Sequence, residues 1–343
     1  MTNRTRESEN NFTLLRLLLA LMVVLGHFKL LSGTAYPAFP FNLADAAVDS
    51  FFVVSGFLIA LSYERSRSLL AFYVRRVFRL YPMYACVVLI QTAIMLALLP
   101  DGPFSEPHST LRYLAANLLL ANFLQYDIGG VLAGLHNPGI NPSLWTLKIE
   151  IGFYLIVPLI CLACRRWGWG VLALIFALSV IYNIVALRLG EVQFARQLPG
   201  QLQFFVVGMA LQMHGDRIRI HPALSALIAL AFLAVWTFIV PIPPGIRPLI
   251  VAVFVFSFAL CIPVVPLKSD LSYSAYLLHG PLIQTLILVG LFRDDLPFLG
   301  GVICTVLCLA FVAERLLEGP ANAFGHRLAT RIGRRTSALP SVT

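Results

Sequence analysis

Apolar runs of about twenty residues, each closed by a cluster of polar or charged positions, recur along this chain from end to end. Ten of them read as membrane-crossing helices, at residues 12–31, 46–63, 82–100, 144–163, 168–187, 199–214, 220–240, 246–264, 272–292 and 298–317. An eleventh run, 111–126, is shorter and carries Arg112, Asn117, Asn122 and Gln125, so it reads as an interfacial or re-entrant segment. The pattern predicts an all-α membrane protein, a polytopic bundle of about ten transmembrane helices. Three segments follow: an N-terminal tail at 1–11, a transmembrane domain at 12–320 and a basic tail at 321–343. The opening "MTNRTRESENN" is mixed in charge and lacks a clear small-residue cleavage site, so the first span is expected to stay uncleaved.

Loop charge orients the bundle. With ten spans, one face collects Arg4 and Arg6, five arginines between Arg65 and Arg79, Arg165 and Arg166, Arg217 and Arg219, Lys268, and Arg327, Arg331, Arg334 and Arg335 of the tail. The other face holds only Arg112, Arg188, Arg196, Arg247 and Arg293. Sixteen cations against five place both termini in the cytoplasm. Counting 111–126 as a full span would carry the basic tail outside, so that count is rejected. The same distribution accounts for the net charge of +9 without a compact basic domain, which argues against a nucleic-acid partner.

Composition agrees with the pattern: 59% of the residues are hydrophobic and 12% charged. The six cysteines, Cys86, Cys161, Cys164, Cys261, Cys304 and Cys308, all lie in or beside apolar runs and read as small buried hydrophobes. Cys161 and Cys164 lack the second pair that a zinc site needs, so no metal is expected.

Polar residues inside the spans carry the candidate chemistry, because each costs a few kcal/mol (about 2.5–3.5) unless paired or hydrated. Arg16 and His27 stand eleven positions apart in the first span. Eleven steps of about 100° return to within roughly 20° of the starting face and rise about 16 Å, so both lie on one stripe. Asp49 sits near the outer edge of the second span, at a depth similar to His27. Lys148 and Glu150 enter the fourth span and His279 the ninth. Arg75, Arg76 and Arg79 recur at helical spacing beside aromatic residues at the cytoplasmic face. Such a cluster suits either a topology anchor or a clamp for the phosphates of a nucleotide-bearing substrate, since guanidinium groups bind phosphate bidentately. Arg16 is likewise compatible with snorkelling to lipid phosphates, and His27 with a satisfied interior histidine.

Five motifs in order then carry a resemblance. They are the Arg and His separated by ten residues (Arg16, His27), "FFVVSGFLI" preceded by Asp49, and the R-x-x-R pair Arg76 and Arg79 ahead of "YP". Ser143 to Pro158 follow, with their acidic position at Glu150, and then Tyr273 to Pro281 with His279. The sequence resembles the acyltransferase-3 family of integral-membrane O-acyltransferases over about residues 12–320. It departs from the family pattern at Ala47, at Ser50, and at a late element that reads Glu318-Gly319-Pro320.

The resemblance implies transfer of an acyl group, most often acetyl, from cytoplasmic acyl-coenzyme A to a hydroxyl of a carbohydrate or glycolipid acceptor. The setting it implies is the bacterial inner membrane. On that reading His27, Asp49 and Glu150 are the catalytic candidates: His27 as general base, Asp49 as the group that orients it. Arg16, Arg75, Arg76, Arg79 and His279 are the candidates for binding the acyl-coenzyme A. A transporter or flippase using the same residues as a substrate or proton path is the competing reading. The order of the motifs favours the enzyme, and the lack of matched broken helices in two halves weighs against transport.

Overall fold

The computed structural model of the chain describes residues 10–214, 221–238 and 242–337. Arg4, Arg6, Arg217 and Arg219, four of the charges in the topology count, lie outside the described residues, as do residues 1–9 and 338–343 of the two expected tails and the side chain of Arg335. The described residues form fourteen helices and no strand. They are α1 (Phe12–Ser32), α2 (Ala38–Phe41), α3 (Ala44–Glu64), α4 (Leu69–Ala97), α5 (Pro107–Leu118), α6 (Trp145–Trp167) and α7 (Gly170–Arg188). These are followed by α8 (Val192–Ala195), α9 (Leu198–His214), α10 (Pro222–Phe238), α11 (Ile246–Phe256), α12 (Ser272–Leu288), α13 (Leu296–Ala313) and α14 (Gly319–Ser337).

Among the described residues six stretches are long and apolar enough to cross a bilayer: α1, α3, α4, α6, α7 and the run Leu296–Arg334. Of the other expected spans, α9, α10 and α12 have 17 residues each, and α11 has 11 followed by a π-helical turn at Ser257–Cys261. The outward face of α7 is apolar, with Leu174, Leu178, Ile181 and Val185 each at least half exposed. An apolar surface of this kind suits lipid, where backbone groups must be paired within helices. The chain is a multi-pass membrane bundle.

Two helices extend past their expected limits. The arginine cluster is not a loop ahead of a span but the first turns of α4, which starts at Ser68, whose hydroxyl accepts from the Ala71 N–H at 3.2 Å. That N-cap satisfies an otherwise orphaned donor and lets a 29-residue helix form around the internal Pro82. At the other end, the helical run that begins with α13 does not stop at residue 317. Gly319 N–H bonds back to Glu314 O in a π turn at Glu314–Glu318, and α14 continues beyond it against α4. The segment 111–126 resolves into α5, twelve residues long and too short to cross, whose Asn117 donates to the Tyr113 and Gln125 carbonyls at 2.9 Å each. The cysteine expectation needs correction at two positions. Cys304 and Cys308, four residues apart on α13, are exposed on its outward face rather than buried.

The centre of the bundle is α3, flanked by α1, α9 and α11. Its crossing with α9 depends on two glycines: a Cβ on Gly56 would lie 2.0 Å from Phe205 O, and one on Gly208 would lie 2.0 Å from Val53 O. Small residues at a membrane crossing let backbones approach until they touch.

Candidate functional site

α1, α3, α4, α6 and α12 enclose a cleft of about 860 Å³, including the space open to solvent. Arg16, Arg76, Arg79, Glu150, Tyr154 and Tyr273 line its polar end. A largely apolar wall from α3 (Val48, Phe51, Phe52, Leu58), broken by the Ser55 hydroxyl, leads to Thr146 and Tyr276. Arg76 and Arg79, three apart on α4, both line the cleft; Arg75 is about 100° round from Arg76 but only about 40° from Arg79, so phase alone does not separate it from them. Arg75, expected among the donor-binding residues, lies outside the cleft and donates to the Ser66 hydroxyl.

The three cleft arginines are not equivalent. Asp270 Oδ2 accepts from Arg16 Nη1 at 2.6 Å and from Arg79 Nη2 at 2.9 Å. Its Oδ1 accepts from the Ser272 hydroxyl at 2.6 Å and the Ser272 N–H at 3.2 Å. Glu318 accepts from Arg79 Nη1 at 2.6 Å and from the Ser274 hydroxyl at 2.6 Å. Burial alone pushes the Asp270 carboxyl up, but Arg16, Arg79 and the Ser272 donors outweigh it and hold the group well below the usual carboxylate range. Arg76 has no carboxylate within 4 Å among the described residues. Its Nη2 donates to the Ser62 hydroxyl at 2.8 Å, its Nε is buried without a partner, and the guanidinium stands 5.8 Å from the Tyr154 ring centroid. Arg76 is therefore the cleft arginine without a direct ion pair, and Glu150 acts on its charge only from beyond 4 Å. Glu150 faces the same end and accepts from the Tyr154 hydroxyl one turn on.

A second polar centre lies between α1 and α12. His27 Nδ1 and His279 Nε2 are 2.7 Å apart, with ring centroids at 5.0 Å. His279 is fully buried and its Nδ1 lies 3.1 Å from Ala275 O. His27 is half-buried. The loop ahead of α6 closes over this pair for a definite reason. Pro281 cannot donate to the carbonyl four residues back, Leu277 O, and the Asn141 side chain donates to it instead at 2.9 Å. Gly280 leaves room for that approach, since a Cβ there would sit 3.0 Å from Asn141 Oδ1. Gln284 then donates to the Asn137 and Gly139 carbonyls at 2.8 Å each. The two centres are joined through Tyr276, whose hydroxyl is 3.0 Å from Thr146 Oγ1 and whose ring centroid is 6.2 Å from that of His279.

The stripe of α1 expected from spacing is present. Arg16 meets Asp270, just ahead of α12, and His27 meets His279 within α12, so both face the same neighbour. Two expectations need correction. Asp49 does not meet His27; its Oδ2 accepts from Arg247 Nε at 2.5 Å, and that guanidinium lies 4.7 Å from the Trp236 ring centroid. The reason is phase: Val48, Phe52 and Ser55 of α3 face the cleft, and Asp49 is about 100° round from Val48, toward α11. His279, expected to bind the donor, does not line the cleft but pairs with His27. Glu150 makes no hydrogen bond to either histidine. Lys148 points away, with its Nζ 4.7 Å from the Phe123 ring centroid. Asp270 escaped the sequence reading, and Glu318 entered it only as a departure from the family pattern, without a partner. Three arginines converging on a membrane interior without named anions was the signal that could have found them.

Among the described residues no group of three or more His, Cys, Asp or Glu could hold a metal ion. A family model described as an acyltransferase domain matches residues 9–315. Nodulation protein 10 of Rhizobium leguminosarum bv. viciae is 28% identical over 94% of this chain and 95% of its own length. The O-acetyl transferase of Shigella phage Sf6 is 28% identical over 90% and 95% respectively. The acyltransferase MdmB of Streptomyces mycarofaciens is 28% identical over 50% of this chain and 47% of its own. No solved structure matches the chain.

Proposed function

Because the chain belongs to the acyltransferase-3 family, and is on that ground an acyltransferase, we propose that it moves an acyl group, acetyl in the first instance, from cytoplasmic acyl-coenzyme A to a hydroxyl of a carbohydrate or glycolipid. Residues 12–320 form the catalytic unit, crossing the bacterial inner membrane ten times with both termini in the cytoplasm. The observation that carries this reading is the continuity of one cleft from Arg76 to Tyr276, beside the histidine pair.

Arg76, which makes no direct ion pair and whose Nε has no partner, takes a phosphate of the donor. Arg16 and Arg79, anchored by Asp270 and Glu318, shape the rest of the cationic end. The acyl-pantetheine arm follows the apolar wall of α3 toward Thr146 and Tyr276. His27 removes the proton of the acceptor hydroxyl as its oxygen attacks the thioester carbonyl. Collapse of the tetrahedral adduct breaks the C–S bond, and the departing thiolate takes the proton back from the imidazolium. The ester and free coenzyme A balance the reactants, and the coenzyme need not cross the membrane. Asp49, tied to Arg247, acts by fixing α3 against α11, and Glu150 by holding Tyr154 beside Arg76.

Purified protein given radiolabelled acetyl-coenzyme A and glycan acceptors is expected to yield labelled ester, and His27→Ala none. Label that crosses vesicles without entering any acceptor would replace the enzyme with a transporter. Mass spectrometry of surface glycans from cells with and without the protein identifies the acyl group through the mass lost per repeat. Reporter tags at residues 3 and 340 should read cytoplasmic and a tag at Gly130 external; a cytoplasmic Gly130 overturns the ten-span topology.

A further inference from the structure

We propose that His279 is a positioning residue that sets the tautomer of His27, so that Nε2 of His27 is the atom that accepts the substrate proton. The proposal rests on the reading of His27 as the general base.

The assignment follows from which atoms can donate. Ala275 O, 3.1 Å from His279 Nδ1, is a carbonyl and can only accept. The hydrogen of neutral His279 therefore sits on Nδ1, and its Nε2 presents a lone pair. That lone pair is 2.7 Å from His27 Nδ1, so His27 must carry its hydrogen on Nδ1 for the contact to be a bond. Nε2 of His27 is left bare, and no described residue bonds to it. The opposite tautomer of His27 would set two lone pairs against each other at 2.7 Å and cap the base with a hydrogen. Ser143 Oγ, 3.5 Å from His279 Nε2, can only reinforce the pattern by donating to the same lone pair.

The surroundings make this a built arrangement rather than a chance contact. His279 is held three residues from Tyr276 on α12, and the loop carrying Asn141 and Ser143 is tied to that helix at Leu277 O by the bond that Pro281 leaves free. In a serine-protease triad a carboxylate fixes the histidine. Here a neutral imidazole does so, backed by a helix carbonyl. When His27 takes the proton, the positive charge is shared along Nδ1–H, His279 and Ala275 O, with no buried anion required.

The test uses the full chain in detergent or nanodiscs. His279→Phe keeps a ring and removes the acceptor, whereas His279→Gln can return an acceptor oxygen near the Nε2 position. We expect His279→Phe to lower kcat by about 10²-fold or more with the KM for acetyl-coenzyme A unchanged. His279→Gln is expected to recover most of that loss. Independently of any variant, 15N-histidine spectra of the wild-type protein should show His27 protonated at Nδ1 and bare at Nε2. Full kcat in His279→Phe, no recovery in a folded His279→Gln, or a His27 signal protonated at Nε2 would each overturn the proposal. Full activity in His27→Ala would instead remove the base itself, so the two failures are distinguishable.

Discussion

Arg76 and Arg79 are one helical turn apart, and their loss should have different consequences. Arg79 donates to both Asp270 and Glu318. In Arg79→Met, Asp270 keeps Arg16 and Ser272, but Glu318, 2% exposed, keeps only the Ser274 hydroxyl. Stranding a buried charge by removing its partner costs about 3–5 kcal/mol, and the partial exposure of Arg79 argues for the lower end. Adding Glu318→Gln removes the stranded charge and should recover most of the loss. Arg76 makes no direct ion pair, so Arg76→Met strands no ion-paired carboxylate and should cost clearly less stability than Arg79→Met: it loses the Ser62 bond but also removes a cation whose buried Nε has no partner. Its effect should fall on the donor. A lost charge-assisted bond of about 1.5–3 kcal/mol raises the KM for acyl-coenzyme A roughly 10- to 150-fold. Thermal unfolding in detergent, paired with steady-state kinetics on the three variants and the wild type, reads both axes. Equal stability losses for Arg76→Met and Arg79→Met, or no recovery by Glu318→Gln, would refute the division of labour.

Asp270 supplies a pH signature. Its folded pKa is depressed below the unfolded value of about 3.9, so its contribution is complete above that value and lost only as pH falls through the folded pKa. Asp270→Asn should therefore lower the melting temperature by the same amount at pH 5 and pH 8; a deficit that shrinks between them would contradict the assignment. Gly56→Val, and independently Gly208→Val, should prevent α3 and α9 from closing, because a Cβ at either position meets a carbonyl oxygen at 2.0 Å; wild-type yield and melting temperature would contradict that packing. One alanine inserted after Leu21 turns Arg16 about 100° away from His27, so activity should fall as far as in either single substitution. A folded, fully active insertion variant would show that the shared stripe is not needed.

What the sequence alone determined is what depends on local period and run length. The apolar runs place the long helices, and the eleven-residue interval between Arg16 and His27 puts both on one face of α1, because helical phase is a property of the segment itself. The same local logic misplaced the start of α4, where charges beside Pro82 look like a boundary until the Ser68 cap is seen to carry the helix through them.

Partnership was decided only in three dimensions. His27 takes His279 from 252 positions away, Arg16 takes Asp270 from 254, Arg79 takes Glu318 from 239 and Asp49 takes Arg247 from 198. Similar depth made Asp49 and His27 look like a pair, but depth is one coordinate, and the rotation of α3 about its own axis sends Asp49 to α11. That rotation is set by how closely Gly56 and Gly208 let α3 and α9 approach, a contact between backbones that no pattern of side chains along one strand of sequence records.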